Sequence, residues 1–307
     1  MIRIALAAAA ALLFSGAALA QQPAGPPVGP DWSKIEVKTT DLGNRTYMLE
    51  GQGGNVTVAA GDDGVIMVDG QFAPMHDKLK AAIAAVSPQP IKFLVNTHHH
   101  GDHVGGNAAF TADGAVVVAH ANLRDIMAKG GTNNISMQPV PPATGAALPA
   151  KTYTDTTTVE VKGRAAQLKH TASSPTGGDT YIYFADANVL STGDVVSLGR
   201  YPNIDYLNGG SVKGMIAAAD RVLIISDDTT KIIPGHGPLS NKAELKAYRD
   251  MLVKISAKIE AMVKAKKTLA QVIAAKPTRD FDKAWGKGFL KPEQFVEIVY
   301  TSATKRN

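Results

Sequence analysis

The sequence predicts an α/β fold, an αββα sandwich of two mixed sheets with helices on the outer faces. Short apolar runs typical of β-strands occur in two separate groups along the 307 residues. Segments with helical periodicity follow each group. A chain of this length, with 45% hydrophobic residues, can bury a full-sized core. Two groups of strands, each followed by helices, favour two sheets that share one interior and carry helices outside.

The first group of elements predicts an antiparallel meander that leads into a histidine-rich segment. Its strands are separated by glycine-containing turns and are expected over residues 34–39, 45–50, 55–60 and 65–69. Pro74 then opens a helix that runs to about Val86. An apolar strand over 91–96 comes next, and a further strand is expected over 115–119.

The second group repeats this order of strands and helices. Strands are expected over residues 158–161, 165–170, 180–184, 189–192 and 231–233, with a helix over 212–225. The part from about 240 to 307 is predicted to be helical, with a long amphipathic helix around 242–264. Residues 130–150 form a long loop rich in Gly, Asn and Pro, for which a functional loop and a plain surface loop both remain open.

The first twenty residues have the pattern of a secretory signal peptide. A basic start at Arg3 precedes an apolar run over 4–14, and Ala18 and Ala20 form a small-residue cleavage site. An uncleaved anchor is the alternative. Residues 21–33 are rich in Pro and Gly and are interpreted as a flexible leader, so that the folded domain spans 34–307. We therefore expect a periplasmic or secreted bacterial protein without stable membrane insertion after cleavage.

The composition restricts the chemistry. No cysteine is present, so disulfides, thiolate metal ligands and cysteine nucleophiles are excluded. The formal net charge is +5, and the densest basic patch, at Lys264, Lys266 and Lys267, is interpreted as a solvated helix face. Basic and aromatic residues are not interleaved, so we expect no nucleic-acid partner. The oligomeric state stays open.

The segment from Thr97 to His103 carries the main functional signal. It reads Thr-His-His-His-Gly-Asp-His and follows an apolar strand, where a rigid scaffold can present side chains from a loop. His98 and His100 are two residues apart, so both rings can point the same way in an extended segment. Together with Asp102 and His103 they predict a site for zinc or another divalent transition metal.

This spacing of His-x-His-x-Asp-His after a strand resembles the signature of the metallo-β-lactamase fold superfamily. The likeness extends over roughly residues 35–240, because Asp194 and His236 each follow a short apolar strand in the matching order. The resemblance implies that His98, His100 and Asp194 hold one metal. It implies that Asp102, His103, Asp194 and His236 hold the other, with Zn²⁺ as the expected ion.

One position departs from the family pattern. Pro175 stands where the third histidine of the first metal site is expected, and proline offers no ligand atom in its side chain. His170, five residues earlier, is a possible substitute ligand, although packing at the end of a strand is the other interpretation. The first site is therefore expected to be depleted, and the second site to be the working one.

Two residues that follow Asp194 are candidates for substrate contact. Arg200 suits a carboxylate group, and Tyr201 lies beside it in the sequence. Both could equally stabilise the fold, so the two interpretations stay open.

The ligand types, the predicted signal peptide and the resemblance together imply an exported, zinc-dependent hydrolase with a small-molecule substrate. A bound metal lowers the pKa of its water from about 16 to about 7, so that hydroxide can attack a C–N, C–O or C–S acyl bond of a β-lactam, lactone or thioester. Asp102 is the expected catalytic residue because it can orient the nucleophile. The alternative is a catalytically impaired metal-binding or scaffold member of the same fold, which Pro175 favours.

Overall fold

The computed structural model describes residues 30–304. The predicted signal peptide and most of the leader lie outside this range. In chain order the strands are β1 Lys38–Asp41, β2 Thr46–Glu50, β3 Val56–Ala60, β4 Val65–Val68, β5 Ile91–Val95, β6 Val116–His120, β7 Gly131–Thr132, β8 Pro139–Val140, β9 Lys151–Tyr153, β10 Thr156–Val161, β11 Arg164–Thr171, β12 Asp179–Phe184, β13 Val189–Ser191 and β14 Lys231–Ile233.

The helices confirm the predicted positions closely. The helix expected over 212–225 and the long amphipathic helix keep their bounds, and the C-terminal part is helical. In chain order the helices are α1 His76–Val86, α2 Gly101–Val104, α3 Asn107–Ala112, α4 Ala121–Lys129, α5 Val212–Ile225, α6 Lys242–Lys264, α7 Leu269–Ala274, α8 Asp282–Trp285 and α9 Pro292–Thr304.

The strands form two mixed sheets. The first has the order β1-β2-β3-β4-β5-β6-β9, and the second has the order β10-β11-β12-β13-β14. Strands β1 to β4 pair antiparallel, as the predicted meander requires, whereas β4, β5, β6 and β9 pair parallel. In the second sheet only the β13–β14 pair is parallel. Each sheet thus ends in parallel strands whose carboxyl ends lie at one edge.

Alternating side chains of these strands fill separate layers. Met48 and Ile66 point between the sheets, whereas Leu49 and Met67 point outward, as the two-residue period of a strand dictates. Leu79 and the other buried residues of α1 cover the outer face of the first sheet. Helices α5, α6 and α9 cover the outer face of the second sheet. This is the predicted αββα sandwich.

The first predicted strand is misplaced. Residues 34–39 were expected in the sheet, but Trp32–Lys34 forms a short 3-10 helix and β1 begins at Lys38. The Lys78 ammonium donates to backbone oxygens of Trp32, Ser33 and Ile35, and these bonds hold the segment against α1. Trp32 also packs edge-on against Phe72, with ring centroids 5.7 Å apart. Packed structure therefore begins before residue 34.

The long loop over 130–150 contains a β-hairpin that the sequence did not predict. Strands β7 and β8 pair only with each other, in a two-stranded sheet. The Asn134 side chain, near the turn, donates to Asn203 Oδ1 at 2.8 Å and ties the hairpin to the loop after β13. Among the helices over residues 30–304, none is long and apolar enough to cross a membrane.

Candidate metal centre

The loops that follow four strands meet at one edge of the two sheets. Asp69 follows β4, and the histidine-rich segment follows β5. Asp194 follows β13 and His236 follows β14, and both of these strands belong to the second sheet. Because β4 and β5 are parallel, and β13 and β14 are parallel, each pair delivers its loops to the same side. The fold therefore brings side chains from all four loops, between positions 69 and 236 of the sequence, into one cluster.

The four residues expected to hold the second metal converge. The Asp102 carboxylate lies 3.2 Å from Nε2 of His236 and 3.8 Å from Nε2 of His103. Asp194 Oδ1 lies 3.4 Å from each of the same two nitrogens. Ligands about 2.0–2.2 Å from a tetrahedral zinc are spaced roughly 3.4 Å apart. These spacings suit a single ion bound by imidazole and carboxylate groups.

Asp194 supplies a second indication that a cation fits here. Its carboxylate is buried, yet Oδ1 has no hydrogen-bond partner among the described residues. A buried carboxylate oxygen that accepts no hydrogen bond is costly unless a nearby positive charge neutralises it. A divalent cation between Asp194, His103 and His236 satisfies that oxygen, so the residues present fit the implied metal.

The first set of expected ligands is less complete. His98 Nε2 lies 3.0 Å from His100 Nδ1 and 3.7 Å from Asp194 Oδ2. Pro175 is buried, and its carbonyl accepts the backbone N–H of Asp205 at 2.8 Å, but its ring adds no ligand atom. His98 also forms a possible metal-holding group with His103 and Asp194. Two imidazoles and a shared carboxylate are all that this set offers.

Two glycines allow the backbone to approach the cluster closely. A Cβ atom at Gly54 would lie 2.2 Å from His103 Cε1, and one at Gly235 would lie 2.1 Å from Asp194 Oδ1. Any other residue at either position would displace a predicted ligand.

Asp69 supports His103 from behind, and sequence reasoning missed it. Its Oδ2 lies 2.8 Å from His103 Nδ1, which leaves Nε2 free to face the cluster. The same carboxylate accepts the backbone N–H and the hydroxyl of Thr97. Asp69 is buried and has a φ of 62°, a left-handed backbone that is uncommon outside glycine. An aspartate directly after the apolar run Val65–Val68 was the signal available in the sequence.

Asp205 plays the matching part beside His100. Its Oδ2 lies 3.3 Å from His100 Nε2 and 3.5 Å from His99 Nε2, and it accepts the Asn208 side-chain amide at 2.8 Å. His100 Nδ1 is thereby left to face His98. The sequence carries no signal for Asp205, because a loop residue eleven positions after Asp194 has no recognisable spacing.

The cluster alternates positive and negative groups. Burial and the nearby positive charge of His103 hold the pKa of His98 well below its usual range. Burial opposes protonation of His103, but Asp102, Asp69 and Asp194 outweigh it and hold its pKa well above the usual value. Burial likewise opposes ionisation of Asp194, yet the surrounding histidines hold the pKa of its carboxyl well below normal. In the metal-free protein, protons on imidazoles thus balance the carboxylates.

His170 does not join the cluster as a substitute ligand. Its Nδ1 contacts the carbonyl oxygen of Asp179 at 2.9 Å, and its ring stacks on His120 at a centroid distance of 3.6 Å. His120 in turn caps α4 through the backbone N–H of Asn122. No group of possible metal ligands among residues 30–304 includes His170. Packing at the end of β11 is therefore the interpretation that the structure favours.

Arg200 and Tyr201 point to different environments. Arg200 lines a cavity of about 790 Å³ that opens beside the cluster, together with Asp102, Asp194 and His236. Tyr201 is fully buried, stacks on Phe295 and donates its hydroxyl hydrogen to Asp282 Oδ1 at 2.8 Å. Of the two interpretations left open for Tyr201, the structure favours stabilisation of the fold, because its side chain faces the helical layer. Arg200 remains a candidate for substrate contact.

The two packed sheets and the His–Asp cluster at their edge define a protein of the metallo-β-lactamase fold. The sequence profile of the metallo-beta-lactamase superfamily matches residues 49–236, which is more than half of the chain. The protein therefore belongs to this superfamily.

Known proteins of several activities resemble this chain. It is 26% identical over 184 residues to the 2,4-dinitroanisole O-demethylase subunit alpha of Nocardioides sp., covering 59% of this chain and 52% of that protein. It is 24% identical over 221 residues to a linear primary-alkylsulfatase of Pseudomonas sp., covering 60% of this chain and 41% of that protein. The chain thus spans about half, or less, of the length of these curated relatives.

Solved structures with low sequence identity share the fold. A metallo-beta-lactamase from Pontibacter korlensis aligns with a TM-score of 0.59 and 18% identity, over 71% of this chain and 99% of that one. A stereoselective inverting sec-alkylsulfatase from Pseudomonas sp. aligns with a TM-score of 0.65 and 17% identity, over 86% of this chain and 50% of that one. At these identities the likeness establishes the fold alone.

Proposed function

We propose that this protein is a hydrolase that holds one divalent metal ion, Zn²⁺, between Asp102, His103, Asp194 and His236. It opens a C–N, C–O or C–S acyl bond of a small molecule. The observation that carries the proposal is the buried Oδ1 of Asp194, which accepts no hydrogen bond of good geometry and lies 3.4 Å from Nε2 of both His103 and His236.

The donor set supports zinc. Imidazole nitrogen and carboxylate oxygen suit Zn²⁺, and the chain has no thiolate to compete. When bound, such an ion supplies a Lewis acid and makes a water molecule acidic enough to react near neutral pH.

The residues of the chain orient the reaction. Asp102 is the ligand most open to the cavity, with its side chain 26% exposed, whereas Asp194 is buried. Burial opposes the ionisation of Asp102, but His103 and His236 outweigh that effect and hold the pKa of its carboxyl below the usual value. Its carboxylate is therefore ionised at neutral pH and can accept a hydrogen bond from the attacking water. Asp69 fixes the His103 ring through Nδ1.

The lack of other nucleophiles supports direct attack by water, and the relatives widen the range of substrates to be tested. Direct attack by water needs no covalent intermediate, and the chain lacks both cysteine and a Gly-x-Ser-x-Gly motif. One curated relative is an alkylsulfatase, so a sulfate ester belongs in the substrate panel beside a β-lactam, a lactone and a thioester.

Export remains part of the proposal. The basic start, apolar run and Ala-x-Ala site of residues 1–20 support a periplasmic or secreted protein. Cleavage after Ala20 would leave Gln21 as the first residue. N-terminal sequencing of the protein recovered from the periplasm tests this.

A metal-binding or scaffold protein without turnover is the second candidate. Pro175, in place of the expected histidine, is the observation that favours it. The two candidates differ in turnover and agree on metal binding.

The test combines metal content with hydrolysis by the full-length protein. We expect about one equivalent of zinc per chain, turnover of at least one member of the panel, and loss of both in His236→Ala. His76→Ala is the matched control, because His76 contacts Asp77 and Asp113 and no predicted ligand. Metal binding without any turnover would support the scaffold candidate, whereas a chain that binds no metal would overturn both.

A further inference from the structure

The cavity beside the cluster has apolar walls that come from separate parts of the chain. Phe72 and Val104 line it near the metal centre, and Ile126 and Met127 line it from α4. Val140 belongs to the β7–β8 hairpin and completes this wall. At about 790 Å³, the cavity is large enough for a ligand with a substantial apolar part.

The mouth of this cavity carries exposed apolar side chains. Phe289 and Val140 both line the cavity, yet they are 51% and 46% exposed. Met137 is exposed in the same hairpin as Val140, and Leu207 is exposed beside the cavity-lining Asn208. Two further exposed large apolar side chains, Ile224 and Val253, lie on helices α5 and α6 and do not line the cavity. Two of the six exposed large apolar side chains among the described residues therefore line the cavity, and two more neighbour its lining in the sequence, as apolar surface at a binding site does.

Arg200 is an unpaired cation in this wall. It is the only Lys or Arg among the described residues that line the cavity, and no hydrogen bond or ion pair to it occurs within residues 30–304. The Cβ of Arg200 packs closely against Gly288, the residue before Phe289. A Cβ atom added at Gly288 would lie only 2.5 Å from it. An arginine that is partly buried and has no carboxylate partner suits an anionic ligand group.

The acidic residues of the cavity contact histidines and do not contact Arg200. Asp205 Oδ2 lies 3.5 Å from His99 and 3.3 Å from His100, and Asp102 Oδ2 lies 3.8 Å from His103 and 3.2 Å from His236. Asp194 contacts the same two histidines of the second set. The guanidinium of Arg200 therefore stays available to a ligand.

We propose that the ligand of this cavity is a monomeric anionic amphiphile. Its alkyl or acyl chain lies against Val140, Phe289 and the apolar wall, and its anionic group pairs with Arg200. As a substrate class, this inference rests on the proposed hydrolase function, whereas binding of the amphiphile does not require turnover.

The test uses n-alkanesulfonates as probes, because they are anionic, are not hydrolysed and bind metals weakly. Binding of hexane-, octane- and decanesulfonate to the metal-loaded full-length protein is measured by calorimetry, and each is compared with the neutral n-alkyl methyl sulfone. We expect affinity to rise by up to about fourfold for each added methylene group that becomes buried. We also expect the sulfonate to bind at least about fivefold more tightly than the sulfone, as a charge-assisted hydrogen bond provides.

Variants separate the two parts of the site. Phe289→Ser and Val140→Ser should reduce the dependence on chain length, whereas Ile224→Ser, which changes an 81% exposed residue on α5, should leave it unchanged. Arg200→Gln should remove the preference for sulfonate over sulfone without changing the binding of the sulfone. Arg200→Lys should retain part of that preference.

Several outcomes would overturn the inference. Equal affinity along the chain-length series, or an equal loss in the Ile224→Ser control, would show that the apolar mouth does not bind the chain. Cosedimentation with vesicles, combined with no binding of monomeric sulfonates, would assign the mouth to a membrane surface instead. If the amphiphiles bind and no panel substrate is turned over, the hydrolase proposal fails while this inference stands.

Discussion

Asp69 Oδ2 lies 2.8 Å from Nδ1 of His103, on the side of the ring that faces away from the predicted metal. The carboxylate is itself fixed, because Thr97 donates to both of its oxygens. A carboxylate behind a ligating imidazole sets the tautomer and the orientation of the ring, and it makes the ligand more basic. Asp69 is therefore a positioning residue for the centre that contains His103.

Asp69→Asn should lower the affinity for zinc by roughly 10–100-fold, since the amide keeps the shape but loses the charge that favours His103 as a ligand. Competition with a chelating dye measures this change. Asp113→Asn is the matched control, because Asp113 contacts His76, which is not a predicted ligand. Equal zinc affinity in Asp69→Asn and the unchanged protein would remove Asp69 from the centre.

Pro175→His tests whether the first metal site lacks a ligand. The substitution supplies an imidazole next to the Asp205 loop, so we expect the zinc content to rise from about one to about two equivalents per chain, as two-metal sites of this chemistry allow. Elemental analysis measures the ratio. Pro175→Ala removes the proline without adding a ligand and should leave the ratio unchanged. An unchanged ratio in Pro175→His, with the fold intact by circular dichroism, would mean that the missing histidine does not limit occupancy.

The sequence predicts the layers of this fold well because the apolar pattern of each strand shows which of its faces are buried. Strand β4, Val65–Val68, is a continuous apolar run, as expected of a strand covered on both sides. The misplaced first strand depends on Lys78, whose ammonium holds backbone oxygens of a segment more than forty residues away. A contact at that separation leaves no local pattern in the sequence.

The site divides in the same way. Asp102 and His103 are adjacent in one motif, so their residue types and spacing were sufficient to predict them. Asp69 and Asp205 are brought to the cluster by the sheet edge and by a long loop, and neither has a fixed spacing to the motif. His170 lies five residues before Pro175, but its ring stacks on His120, and distance along the chain could not reveal that contact.

Tyr201→Phe should affect stability and leave ligand binding unchanged. The hydroxyl of Tyr201 donates to Asp282 Oδ1 at 2.8 Å, which joins the loop after Asp194 to α8. Loss of one such hydrogen bond is expected to lower the free energy of unfolding by about 1 kcal/mol. Urea denaturation measures this, and the binding of decanesulfonate should stay at the wild-type value. Weaker sulfonate binding with unchanged stability would restore the substrate-contact interpretation of Tyr201.

Asp179 makes the stability of the metal-free protein depend on pH. Its carboxyl group is buried at the start of β12, and Oδ2 accepts the backbone N–H and the hydroxyl of Thr176, each at 2.6 Å. Burial raises the pKa of Asp179 to about 7, although both hydrogen bonds oppose that shift. Because the folded-state pKa lies above the unfolded value of 3.8, this group's contribution to stability is fully present below pH 3.8. It is lost as the pH rises through about 7.

Asp179→Asn should therefore remove this dependence. Between pH 5 and 7, with metal removed by a chelator, the unfolding free energy of the wild-type protein should fall by about 2 kcal/mol relative to the variant. Each pH unit contributes roughly 1.4 kcal/mol while Asp179 stays protonated in the folded protein, and less as it ionises near pH 7. Urea denaturation of both proteins at the two pH values measures the difference. Asp227→Asn is the control: hydrogen bonds from Thr229 and Asn188 lower the pKa of Asp227 to about 2, so its ionisation is complete at both values. If the difference between wild type and Asp179→Asn is the same at pH 5 and pH 7, the carboxyl group of Asp179 is ionised in the fold throughout, and its burial does not govern its charge.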